Sequence, residues 1–128
     1  APRISKSPRG ACAFLSALGL TLEQANLDFT IIYGEAFENS GDLESSEYFK
    51  IVHREEIRHV ASASRWLKAL SSEKKEVDRY KNSVPFPLSA ARAKAKRFEP
   101  GPRRAAGLEE SFISFVKNSR STQESPRR

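Results

Sequence analysis

Two long proline-free runs, residues 12–38 and 43–70, separated by Asn39-Ser40-Gly41-Asp42, constrain this chain more than any other feature. In the first run Phe14, Leu15, Leu18, Leu22, Ala25, Phe29 and Ile32 recur at three- and four-residue steps, the spacing that puts apolar groups on one face of a helix. The second run keeps the same period, and both are about twice the mean helix length. Gly41 suits a helix C-terminus and Asp42 suits the cap of the next helix. The expectation is a long antiparallel helical hairpin.

Beyond Leu70 the pattern shortens. Ser71 or Ser72 can cap a small helix to about Tyr80, and Val84-Pro85-Phe86-Pro87 must be extended because a residue before proline avoids the α region. Ser89 can open a basic helix to about Phe98, Glu99-Pro100-Gly101-Pro102 reads as a turn, and residues 107–118 form a last amphipathic helix. No segment reads as a strand. The fold class is therefore all-α, the hairpin plus short C-terminal helices. The expected organisation is an irregular segment over 1–10, a helical domain over 11–118 and a disordered basic tail over 119–128.

Composition removes several functions. No stretch approaches the roughly 20 apolar residues of a membrane-spanning helix. Cys12 is the single cysteine, so an intrachain disulfide and a thiolate-ligated zinc site are excluded. With no disulfide framework and no span, a cytoplasmic location is expected. The Arg- and Ser-containing start resembles the end of a transit peptide, making an organelle matrix the alternative. The first residue is Ala1 and methionine is absent, as expected of a processed or truncated piece. The net charge of +6 lies in the C-terminal third, where residues 89–128 hold 10 basic against 4 acidic side chains. Arg92, Lys94, Lys96, Arg97, Arg103 and Arg104 form a candidate basic patch for RNA or for docking into an assembly, although no aromatic residues interleave for base stacking.

Chemistry concentrates in the hairpin. Val52, Glu56, His59, Ala63, Trp66 and Leu70 fall on one stripe of the second helix, which is expected to face the core. Glu23 shares a face of the first helix with Ser16, Gly19, Leu20, Leu27, Thr30 and Ile31, and has no base nearer in sequence than Arg9 or Lys50. Buried charge is costly unless paired or bound to metal. Glu23 and His59 each lie 18 residues from Gly41, roughly 27 Å along their helices, so the hairpin brings them level. A Glu facing Glu-x-x-His is half the ligand set of a carboxylate-bridged di-iron bundle, whose hard oxygens bridge iron (or manganese) and whose imidazoles complete each ion. A plain helical ion pair also accounts for Glu-x-x-His alone. His53 lies off the stripe and reads as a partly exposed histidine; Glu55 and Arg58 read as a solvated flank, and Glu35 and Glu38 as the polar face.

The run from Leu20 to Asp28, Gly41-Asp42, the run from His53 to Val60 and Arg65-Trp66-Leu67 resemble the ferritin-like family of unknown function numbered four-five-five. Pro85-Phe86-Pro87, Ala91-Arg92 and residues 103–113 are similar to its C-terminal segment. The likeness spans residues 15–116 but only the C-terminal half of a family member. It implies half of a ferritin-like four-helix bundle, with Glu23, Glu56 and His59 as that half's metal ligands. It also implies kinship of fold with tRNA-hydroxylating di-iron monooxygenases. Three ligands cannot fill a di-iron centre, so a second copy or a partner chain must supply the remaining helices. The function expected is a non-haem di-iron oxidoreductase or oxygenase, or an iron-binding protein. The alternative is a metal-free structural subunit of a larger assembly.

Overall fold

A computed structural model of the chain describes residues 8–121. The first long helix starts as α1 (Arg9–Phe14), widens into a π-helical stretch over Leu15–Leu22 and continues as α2 (Glu23–Asn39). The turn puts Gly41 at φ +89°, the left-handed region glycine enters without Cβ strain. Asp42 then caps α3 (Leu43–Leu70), its Oδ1 accepting from the Ser45 N–H at 3.0 Å. Both turn expectations hold. Among the described residues there is no strand, and no helix is long and apolar enough to cross a membrane.

Four short elements cover one side of the hairpin: α4 (Glu76–Ser83), a 3₁₀ turn (Ala90–Arg92), α5 (Pro100–Ala105) and α6 (Glu110–Asn118). Their apolar faces close a core with Leu20, Leu27, Val60 and Leu67 of the hairpin, to which they contribute Tyr80, Leu108, Phe112 and Val116. The Tyr80 and Phe112 rings lie 5.2 Å apart. Tyr80 also shares a 2.7 Å hydrogen bond with Thr21, and burial pushes its phenol up to about 12.

Three short elements differ from expectation. The helix after Leu70 begins at Glu76 rather than at Ser71 or Ser72, because its N-terminus is held from a distance. Glu109 Oε1 accepts from the Glu76 N–H at 3.0 Å, and Glu76 Oε1 accepts from the Glu109 N–H at 2.8 Å. Buried Glu76 also accepts from the Ser64 hydroxyl. Residues 89–98 are not a helix beyond the 3₁₀ turn, and residues 99–102 do not form the expected turn. Proline at the first position opens α5 instead, where its missing N–H costs nothing.

Both departures trace to Asp28 and Arg103, each with a side chain fully shielded from solvent. Asp28 accepts at Oδ1 from Arg103 Nη1 (2.6 Å) and the Glu99 N–H (2.9 Å), and at Oδ2 from Arg103 Nη2 (3.0 Å) and the Ala95 N–H (3.0 Å). Arg103 also donates to Gln24 Oε1, the Glu99 carbonyl and the Ala93 carbonyl, with Phe98 stacked 3.9 Å from its guanidinium. The backbone over 93–99 satisfies this carboxylate and guanidinium instead of its own helix. Removing one partner leaves the other charged and buried, so Arg103→Ala should cost about 3–5 kcal/mol in urea unfolding. A loss under about 1 kcal/mol, the scale of a surface pair, would show that the pair is dispensable.

Candidate metal centre

Glu23 opens α2 immediately after the π-helical stretch, with its N–H bonded to the Leu18 carbonyl five residues back. The wider turn rotates the upstream residues onto the Glu23 face, so Phe14, Leu18 and Gly19 line one shallow pocket of about 250 Å³ with Glu23, His59, Ser62 and Ala63. The helices touch there. A Cβ on Gly19 would meet the Ala63 Cβ at 2.3 Å, so only glycine permits this approach.

The approach brings the three candidate ligands together: one donor atom each from Glu23, Glu56 and His59 lie within 4.8 Å of one another. His59 Nδ1 stands 3.3 Å from Glu23 Oε2 and 3.0 Å from Glu56 Oε1. Asn26, one turn beyond Glu23, donates from Nδ2 to Glu56 Oε2 at 3.0 Å and thereby orients that carboxylate. The sequence reading missed Asn26. Its three-residue spacing from Glu23 was the available signal.

Electrostatics at the triad follow from two acids sharing one imidazole. Burial and then the neighbouring Glu56 push the Glu23 carboxyl above the usual carboxylate range, opposed by His59. The hydrogen bond to Glu56 raises His59 above its ordinary value.

The stripe containing these residues faces the core only in part: Ala63 is buried and Leu70 packs against the core. The His59 side chain is 52% exposed and Trp66 is 60% exposed. The buried residues of α3 are Ser46, Val60, Ala63, Ser64 and Leu67, and the C-terminal elements pack over Val60 and Leu67. On the first helix Phe14, Leu18 and Leu22 are likewise exposed, and Ser16, Leu20, Gln24, Leu27 and Asp28 are buried in their place. Of that apolar period Ala25 is buried and Leu15 packs against the core, while Phe14, Leu18 and Leu22 lie on the open face.

His53 is half-buried, and its Nδ1 bonds Thr30 Oγ1 at 2.7 Å. Burial lowers its titration point, opposed by Glu99 and Asp28. Glu55 and Arg58 pair with each other at the surface, as a solvated flank does.

One member of the basic patch is withdrawn from the surface and two are held in exposed ion pairs. Arg103 is buried and cannot touch RNA, Arg97 is bound to Glu35 and Glu99, and Arg104 to Glu110. Glu35 is therefore an ion-pair partner as well as a surface acid, and Arg97 holds its carboxyl below the usual range. Lys94 donates to the Lys117 and Ser119 carbonyls.

Compared with known proteins, residues 3–114 match the model of one family, described as protein of unknown function (DUF455). No curated protein and no solved structure matches the chain.

Gly19→Ala should destabilise the fold by about 1–3 kcal/mol, the usual cost of overpacking, and spread Glu23 from His59. Ala63→Gly in the same chain should recover most of that loss in thermal unfolding. No recovery would place the strain elsewhere.

Proposed function

The chain belongs to the DUF455 family, and from that premise and the triad we propose a ferritin-like protein that holds iron or manganese through Glu23, Glu56 and His59. The observation that carries this reading is the convergence of two carboxylates and one imidazole within 4.8 Å. The donor set suits such ions: hard oxygens from Glu23 and Glu56, a nitrogen from His59, and more negative than positive charge at neutral pH. Asn26 keeps Glu56 in place, while Phe14 and Leu18 shield one side of the pocket from water. A ferrous pair, when bound, supplies the electrons for reduction of O₂ in oxidising or hydroxylating a substrate; ferroxidase or iron-storage chemistry draws on the same ligands. The remaining ligands of a pair come from a second helical hairpin laid on the open face, in the arrangement of a four-helix bundle.

One observation favours the metal-free scaffold as a second reading. Each triad member already has a hydrogen-bonded or ion-paired neighbour, Glu56 having both Asn26 and His59. Metal analysis separates the two. Purified chain should take up one Mn²⁺ or Fe²⁺ per triad, and Glu56→Ala should weaken uptake by at least about tenfold, as loss of even an outer partner does. Metal-free protein with unchanged folding in both forms would leave the scaffold.

Affinity should also follow pH. His59 and Glu23 both hold their protons to higher pH than usual, and a metal ion must displace them. Binding should therefore strengthen as pH rises through and above 6.5, His59's ordinary value, by about tenfold per unit where a single proton is released. In titrations of Mn²⁺ between mildly acidic and mildly alkaline buffer, a pH-independent affinity would remove both groups from the ligand set.

A further inference from the structure

On the face carrying the triad, exposed apolar side chains lie to both sides of it. Leu18, Leu22, Tyr33 and Phe37 of the first helix are all more than a third exposed, as are Tyr48 and Trp66 of α3. Helical spacing puts them on the triad side: Tyr33 lies seven residues from Asn26 and Phe37 eleven, Trp66 seven from His59 and Tyr48 eleven. Contiguous exposed apolar surface of this extent marks an interface.

The position of the triad is compatible with a second copy as the occupant. Glu23 stands 14 residues after the start of the first helix at Arg9 and 16 before its end at Asn39. Glu56 stands 13 residues after Leu43 and 14 before Leu70. The triad therefore sits at the midpoint of both long helices. A two-fold axis lying in the plane of that face, perpendicular to the helix axes at the midpoint, lays an identical hairpin over its full length with no overhang. It also sets the Leu18–Leu22 and Trp66 end of one copy against the Tyr33, Phe37 and Tyr48 end of the other. A face roughly 45 Å long and two helices wide offers on the order of 900 Å² per copy, against the roughly 800 Å² of a standard stable interface.

We propose that a second copy of this chain docks on the triad face about this axis, so that two sets of Glu23, Glu56 and His59 meet in one centre. The shared centre rests on the metal reading above; the docking rests on the face and the midpoint geometry. An isologous contact of this kind closes on itself as a dimer. A polar ligand set at its middle specifies the register that an apolar seam alone leaves open to sliding.

Sedimentation of the full chain, with chelator and then with Mn²⁺, tests both parts. The expected species is twice 14.3 kDa in either condition. Trp66, the one tryptophan, should shift its emission to the red on dilution as the copies part. Leu18→Glu and Tyr33→Lys should each give single chains with helical circular dichroism retained. Phe86→Glu, on a loop away from the hairpin and 94% exposed, should leave the dimer intact.

Single chains at every concentration, with or without Mn²⁺, overturn the proposal. If those single chains still bind Mn²⁺, the metal reading survives. A dimer indifferent to both Leu18→Glu and Tyr33→Lys overturns the assignment of this face. A dimer that takes no metal overturns the shared centre and the metal reading while the docking stands.

Discussion

Asp28 and Arg103 join the two halves of this fold through a carboxylate that accepts four hydrogen bonds and a guanidinium that gives five. Neither side chain touches water. Such a pair adds little net stability over apolar residues of the same volume, because desolvating two charges offsets most of their attraction. What it adds is specificity. A charge left unpaired at this depth is costly, so the segment over 93–99 has one acceptable path and α5 one acceptable position. The remaining packing of the C-terminal elements on the hairpin depends on that placement.

The same pair decides which face of the hairpin stays open. Gln24 and Asp28 are turned toward the C-terminal elements, and Glu23, on the other flank of the helix, faces His59 of α3 instead. The π-helical stretch carries the open face upstream. In a regular helix Leu18 would lie about 140° around from Glu23; hydrogen bonds to the fifth residue back, near 4.4 residues per turn, reduce that to roughly 50°. The Gly19–Ala63 contact then closes the gap between the two helices at the triad. Three local features, none of them chemically reactive, thus place three reactive side chains.

The sequence showed the hairpin because long unbroken periodicity and a Gly-Asp turn are local signals, and Gly41 and Asp42 do at the turn what their chemistry suggests. It also showed that Glu23, Glu56 and His59 stand level, since rise per residue is the same in both helices. Which side of the stripe faces inward was not legible. An apolar stripe left at the surface reads the same as one packed into the core, and Trp66 carries no mark of its 60% exposure. The basic patch misled for a related reason: arginines summed along the chain cannot show that Arg103 will be swallowed by Asp28, 75 residues away. The lost helix over 89–98 is a tertiary override, in which two backbone N–H groups are worth more on a buried carboxylate than in their own turn.

Charge is partitioned across the first helix by how completely it can be satisfied. On the closed side, both carboxylate oxygens of Asp28 have partners and no water reaches them. On the open side, Glu23 and Glu56 share a single exposed imidazole, burial and mutual repulsion raise the Glu23 carboxyl, and solvent or another ligand has access. One helical turn separates a carboxylate that builds the fold from a carboxylate that remains able to exchange partners. A chain that satisfies five guanidinium donors next door has the means to neutralise Glu23 with an arginine of its own. It instead supplies a histidine, a group able to bind either a proton or a metal ion, and the proposed metal site rests on that difference.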